Sequence, residues 1–516
     1  MIRHSGPLLT ALLALLLLAA PLAFGGVVPW AAATLAVLSF CALALAMAAV
    51  DGLQTLRPAA FPALAVAAVA LLGLIQALPW PAGVVRTLSP EHARIEEEAA
   101  NAGAGLVPAG EGAGPASAAT PRFTLAVSST RRAALAWAAA AACLLAGAAA
   151  GRNRIHRRWL AGAFLAGGLF QVLFGARGWI ARDRTLWGIE LVSNPARLRG
   201  TFVNPNHLAL YLGMALPVAF AWGWWAARRA RDEPQIERRL LLIAPPCLLW
   251  LTLFLGLAFS GSRGGMLAAL AAVTVQGVLL PGLKRRWWLA PVGAVVALAG
   301  LALVAAVGFE EGLGRLIATR AGDVSVGARL DEYAAALSLW RRFPLAGTGL
   351  GTFRDAFPLV QPADLAGTYW HPHSDLLEIL VTGGVVAVAL AAVGLWAVVR
   401  RLFVVLRGRG RSEDRGAALA ALGVLAAAGV HACVDFALTM PGNALTLAVL
   451  LGAASAAKAP ELAEPDLAGQ HPASVQALDL QEMEPAADRH RKRKRHGRSG
   501  GGRPHRKGSH DRAVEP

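Results

Sequence analysis

The sequence predicts an all-α integral membrane protein of about twelve transmembrane helices, with a large outside loop that contains short helices. Three observations carry this. The 516 residues are 56% hydrophobic and only 16% charged, with a mean hydropathy of +0.51; a soluble chain of this length needs far more charge to cover its surface. Apolar stretches of about 20 residues recur along the chain, which is the length that crosses a bilayer as a helix. The basic residues concentrate in every second short loop between those stretches.

The expected spans are 8–24, 27–50, 59–80, 132–150, 158–175, 207–226, 240–258, 264–281, 287–308, 376–399, 417–437 and 443–457. The first follows MIRHSG and is read as an uncleaved span. With the N-terminus inside, the inside loops are DGLQTLRP, GRNRIHRR, ARRARDEPQIERR, GLKRR and RRLFVVLRGRGRSEDRG. Nearly all are dense in Arg or Lys, as the positive-inside rule requires. A miscount by one span would invert the later loops and spoil the agreement. Both termini are therefore expected in the cytoplasm.

The chain divides into a polytopic membrane domain, 1–458, and a tail, 459–516. Three longer segments fall outside: 81–131, with its acidic patch IEEE (95–98); 176–206; and 309–375, where YAAALSLWRR has helical apolar spacing. The tail carries DRHRKRKRHGRSGGGRPHRKGSH. Its low hydrophobicity and block of like charge predict disorder. Two readings stay open for it: attraction to anionic membrane lipids, worth about 1 kcal/mol per basic residue, or a solvated tail that reinforces topology. The formal charge of +17 is thus topology information, and no specific nucleic-acid partner is expected. Cys41, Cys143, Cys247 and Cys433 all fall in apolar segments and read as small buried residues, with neither a disulfide framework nor a metal site.

Outside loops should be poor in arginine, yet 176–206 carries Arg177, Arg182, Arg184, Arg197 and Arg199, and the turn SGSRGG (260–265) places Arg263 at the outer end of a span. Salt bridges with Glu310, Glu311, Asp323, Asp331 and Glu332 account for some outer arginines, but Arg197 and Arg263 have no acid nearby in sequence. Guanidinium forks match phosphate oxygens, so the cluster suggests a phosphate or pyrophosphate ligand. His207 opens a span after Asn204 and Asn206, a position that also suits a cap or an interfacial anchor. His371 and His373 flank Pro372; one is expected to work and the other to be structural. Ser374 or Asp375 can cap the helix that begins near Leu376. His431 and Asp435, at i and i+4, are expected on one helix face, as a packed hydrogen bond or a site wall.

Several of these stretches carry a resemblance. They are RLRGTFVNPNHLALYL (197–212), SGSRGGMLAAL (260–270), RLDEYAAALSLWRRFPLAGTGLGTF (329–353), HPHSDLLEILVTGG (371–384) and HACVDFALTMPGNAL (431–445). In order, spacing and outside placement they resemble the bacterial O-antigen ligase and O-antigen polymerase superfamily over about 190–450. The ligase signature is His followed by Asn, Ser or Gln, nine residues, then Gly; here it is His373, Ser374 and Gly384. After two intervening residues the pattern continues with a second small or hydroxyl residue, most often Gly, where this chain has Ala387.

The resemblance implies a C-type glycosyltransferase-like fold with a large periplasmic loop, 309–375, in the bacterial inner membrane. It implies a donor glycan carried on undecaprenyl pyrophosphate and an acceptor hydroxyl on a lipid A core, a protein or another glycan. His373 matches the general base, and Arg197 and Arg263, with Arg199 beside them, match the arginines that hold the pyrophosphate. Asn204, Asn206, His207, His371, Asp375 and Asp435 are expected to support them. The family uses no cofactor and no metal. Two other classes compete: a transporter of a small anion such as bicarbonate, and a non-catalytic scaffold of a polysaccharide export complex. Against transport, no strongly charged residue stands in the middle of a span and no inverted repeat with broken helices is visible.

Overall fold

A computed structural model describes residues 5–50, 52–104, 120–191, 195–280, 324–363, 365, 367–408 and 411–457, all within one compact unit. The helices are α1 (Ser5–Leu22), α2 (Pro29–Ala49), α3 (Arg57–Ala77), α4 (Ala82–Leu88), α5 (Pro90–Ala104), α6 (Val127–Gly151), α7 (Arg154–Ile180), α8 (Pro205–Arg229), α9 (Ile236–Phe259), α10 (Arg263–Leu279), α11 (Val324–Arg342), α12 (Phe353–Ala356), α13 (Asp375–Arg407), α14 (Ser412–Val434) and α15 (Pro441–Ser455). A two-residue hairpin, β1 (Thr185–Leu186) with β2 (Ile189–Glu190), adds the sheet among the described residues; it turns through Trp187 and Gly188, both with positive φ.

Nine described helices are long and apolar enough to cross a membrane: α1 to α3, α6 to α9, α13 and α14. The protein is an all-helical, multi-pass membrane protein. Two of the twelve expected spans are shorter helices, α10 with 17 residues and α15 with 15. At about 1.5 Å per residue they fall short of a hydrocarbon core about 30 Å thick. The expected span 287–308, the loop segment 309–323 and the tail 459–516 lie outside the described residues.

Within lipid there is no hydrophobic drive between helices, so close packing of small residues holds them together. The Ala- and Gly-rich α6 lies against α15 at contact distance: a Cβ on Gly147 would stand 2.5 Å from the Val449 carbonyl oxygen, and one on Gly452 would stand 2.1 Å from that of Leu144. The first helix, α1, buries Leu9, Leu13, Leu16 and Leu17 against this core. Cysteine placement corrects the sequence expectation. Only Cys143 is buried; Cys41, Cys247 and Cys433 are exposed, because an apolar segment in a bilayer also has a lipid-facing side.

Two ends of the bundle differ in content. At one end lie the α6–α7 turn and the start of α14, joined by Arg157 to Asp414 and by Arg158 to Glu413 at 2.5 Å. Nearby arginines lie over tryptophans, Arg158 and Arg229 over Trp225 and Arg228 over Trp224. At the other end the expected outside segments interlock. Leu125 N–H donates to the Thr348 carbonyl at 2.9 Å, Arg342 pairs with Glu91, and Leu198 N–H donates to the Phe259 carbonyl at 3.0 Å.

One span at that end is broken. The 33-residue α13 has a non-helical Gly384 with φ 66°. The loop 344–349 docks into the break through main-chain bonds: Thr348 N–H to the Val381 carbonyl and Gly349 N–H to that of Thr382, both 3.0 Å, and Val385 N–H back to that of Pro344 at 3.0 Å. Gln76 of α3 completes it, donating to the Ala346 carbonyl at 2.6 Å and accepting from Leu350 N–H at 3.0 Å. Irregular backbone at membrane depth is tolerated only where protein satisfies it. Gly384 is required on two counts. Its φ is one that glycine alone adopts readily, and a Cβ there would stand 2.1 Å from the Leu345 carbonyl oxygen.

Candidate functional site

The start of α8, the α9–α10 turn, the face of α11, the HPHS segment and the α14–α15 turn converge at the interlocked end. Asn204 caps α8, its side chain accepting from Asn206 N–H at 2.9 Å, with Pro205 at the first helical position. This leaves the Asn206 amide to bridge. It donates to Asp435 Oδ2 at 2.6 Å and accepts from Arg197 Nη2 at 2.6 Å. The Nε of Arg197 donates to the Ser260 carbonyl at 2.7 Å. Arg263 opens α10 after its cap, Ser262, whose hydroxyl accepts from Gly265 N–H at 3.2 Å. The turn around it reaches both partners of the site: a Cβ on Gly261 would stand 3.4 Å from Arg197 Nε, and one on Gly264 would meet Val434 and the His431 ring.

Asp435 is the C-cap of α14 with extended backbone (φ −157°, ψ 172°), so it does not share a helix face with His431 as the spacing suggested. Its N–H donates to the His431 carbonyl at 2.9 Å, and its own carbonyl accepts from Asp375 N–H at 3.0 Å. Ser374, not Asp375, caps α13, accepting from Leu377 N–H at 3.3 Å. Asp375 instead clasps the α14–α15 turn through Leu438 N–H at 3.0 Å and Thr439 N–H at 2.9 Å. Arg199 is buried and donates to the Asp183 carbonyl at 2.8 Å, bracing the outer hairpin; burial lowers its pKa.

The two histidines of HPHS differ. His371 Nδ1 lies 3.0 Å from both carboxylate oxygens of Glu378, a buried residue one turn into α13. Burial alone would lower the His371 pKa, but the charge and hydrogen bond of Glu378 outweigh it and the pKa is raised. His373 has no such partner. Burial, and then the Arg329 charge, lower its pKa, and its Nδ1 is buried without a hydrogen-bond partner among the described residues. The two shifts are thus opposite in direction: His373 is biased towards the neutral imidazole that can accept a proton, and His371 towards the charged form.

Phe436 organises the cluster. Its ring lies 5.0 Å from that of His207, 5.0 Å from that of His371 and 5.5 Å from that of His373. His207 is buried and T-shaped on this ring, and its main-chain carbonyl accepts from Asn443 Nδ2 at 3.0 Å. The structure therefore gathers Arg197, Asn206, His207, His371, His373, Asp375 and Asp435. Sequence reasoning missed Phe436, Glu378 and the helix residues Glu332 and Tyr333. Phe436 is one aromatic in an apolar run, Glu378 is a single charge within an apolar stretch, and Glu332 reads only as a salt-bridge partner for an outer arginine. Among the described residues, no group of three His, Cys, Asp or Glu side chains is placed to hold a metal ion.

Residues 247–392 match the family model described as O-antigen ligase. The match spans Arg263, the α11 face, the HPHS segment and the Gly384 break, and supports the O-antigen ligase superfamily for this chain. Arg197, Asn206 and Asp435 lie outside the matched stretch. No curated protein matches the chain.

Proposed function

We propose, with the O-antigen ligase match as premise, that the protein is a membrane glycosyltransferase that moves or polymerises a glycan from undecaprenyl pyrophosphate onto an acceptor hydroxyl. The acceptor is a lipid A core, a protein or another glycan. A hydroxyl oxygen of the acceptor attacks the anomeric carbon while the bond to the pyrophosphate oxygen breaks, and its electron pair leaves with the pyrophosphate. The hydroxyl proton goes to His373. Pyrophosphate is a good leaving group, so the step asks for a base and for charge stabilisation, with no nucleotide sugar and no metal. Arg197, fixed by Ser260 and Asn206, and Arg263 in the adjoining turn take the pyrophosphate role, with Arg199 bracing the segment behind them.

The observation that carries this reading is the division between the two histidines on the Phe436 ring: His371 is paired with Glu378, and His373, without such a partner, is biased towards the neutral form by burial and the Arg329 charge. The proposed orientation puts this end in the periplasm and both termini in the cytoplasm. The arginine–tryptophan contacts at the opposite end, around Trp224 and Trp225, suit a cytoplasmic interface.

The test compares His373→Ala with the double variant Arg197→Ala/Arg263→Ala in native cells, with membrane insertion confirmed and surface glycan followed by gel. A loss of about 10²-fold or more in transfer is expected for each. A glycan ladder unchanged in both would overturn the assignment of base and clamp.

A further inference from the structure

A buried carboxylate on an outer-face helix is costly, and α11 carries one directly under the histidine segment. Arg329, Glu332 and Tyr333 stand at i, i+3 and i+4 and so share one face of α11. Their neighbour Asp331 is exposed; Glu332 is 1% exposed, and its Oε1 has no hydrogen-bond partner among the described residues. The Tyr333 hydroxyl donates to the main-chain carbonyl of His373. The main-chain N–H of the same residue faces the Glu332 carboxylate. Arg329 reaches the Val434 carbonyl at 3.5 Å and lends its charge to both Glu332 and His373.

We propose that Glu332 and Tyr333 are positioning residues for His373: they grip its main chain from both sides, the Glu332 carboxylate at the N–H and the Tyr333 hydroxyl at the carbonyl, and the grip is firmest when Glu332 is ionised. The proposal rests on the reading of His373 as the base. In the step, the proton passes from the acceptor hydroxyl to His373, the new bond to the anomeric carbon forms, and the pyrophosphate leaves with its electron pair. Glu332 neither gains nor loses a proton; its charge strengthens the hydrogen bond from the His373 N–H.

Burial raises the Glu332 pKa to about 7, against the opposing charge of Arg329 and with a smaller contribution from Asp435. The other groups facing this pair are Tyr333 on the same helix, His371 on the histidine segment, and Cys433 and Asp435 at the end of α14, where Asp435 acts to raise the His373 pKa against burial and Arg329. Below about pH 7 Glu332 holds its own proton and lends no charge; above it the carboxylate is formed. The wild-type rate should therefore rise with pH through a limb near 7, although His373 itself loses its proton at lower pH.

The experiment uses the full chain in native-cell membranes with their own lipid-linked glycan, and measures initial transfer rates against pH. For Glu332→Gln, kcat should fall about tenfold with KM for the donor little changed, and the limb should move to lower pH, where His373 alone sets it. Tyr333→Phe should lower kcat about three- to tenfold and leave the limb in place. Glu332→Asp, which keeps the carboxylate, should retain a limb near 7 even if the Gln variant fails to accumulate. Wild-type rates in Glu332→Gln, or a reduced kcat with the limb unmoved, would overturn the clamp and leave a merely structural carboxyl. Full activity in His373→Ala would instead remove the base assignment, so the two failures are separable.

Discussion

Buried arginine stands at both ends of the bundle, and the two ends are finished differently. Around the α6–α7 turn, Arg157 donates to Asp414 and, at 2.5 Å, to the Gly151 carbonyl; Asp414 lies 3.6 Å from Arg154 as well. That carboxylate is 1% exposed and fully engaged. At the histidine end, by contrast, ring nitrogens of His207, His373 and His431 and one oxygen of Glu332 are buried with no hydrogen-bond partner among the described residues. Arginine content alone does not separate the two ends. Arg415 Nε and the Ser455 hydroxyl are buried without partners at the first end too, so what separates the ends is the kind of group left over, three imidazoles and a carboxylate at the histidine end; an unsatisfied buried group costs about 1–3 kcal/mol and persists where something other than folding requires it.

Removing one partner of the Arg157–Asp414 pair should have the largest effect. Asp414→Asn leaves Arg157 buried without its counter-charge, and a loss of about 3–5 kcal/mol is expected in thermal unfolding. Activity per folded molecule should stay near wild type, and a selective loss of transfer instead would erase the contrast between the ends. Next comes Gly384→Ala. The added Cβ collides with the Leu345 carbonyl and the φ is wrong for alanine, so about 1–3 kcal/mol should be lost. Here stability and transfer should fall together, since the loop 344–349 and the histidine segment share α13; intact transfer in a destabilised chain would uncouple them. The smallest effect concerns the outer layer. Hydrogen bonding to Arg94, then to Arg342, holds the Glu91 carboxyl at about 2. Its contribution to stability is present above the ordinary carboxylate value of 4.5 and is lost as pH falls towards 2. Proteolysis of α4 and α5 should accelerate over that window, less so in Glu91→Gln, whose layer is already loosened.

Much of the fold was legible in hydropathy, because lipid demands long apolar helices wherever the chain crosses. The departures have local causes. α15 looks like a span but is a short helix sunk among α1, α6, α13 and α14, where protein replaces lipid as its neighbour. Asp435 looked helical because hydropathy does not register a C-cap. His373 and Gly384 were legible as a motif, but the reason for Gly384 was not, since it lies in the main-chain pairing with a loop more than thirty residues upstream. The match over 247–392 covers the histidine and that loop, whereas Arg197 enters through Asn206, a contact that no spacing rule encodes.

Phe436 has a consequence of its own. Three imidazoles lean on one phenyl ring, so they are not three independent parts: a shift of that ring re-aims His207, His371 and His373 in concert. A fluorine placed on Phe436 would make a single resonance report on all three, and its response to donor lipid would register the whole cluster moving as one body.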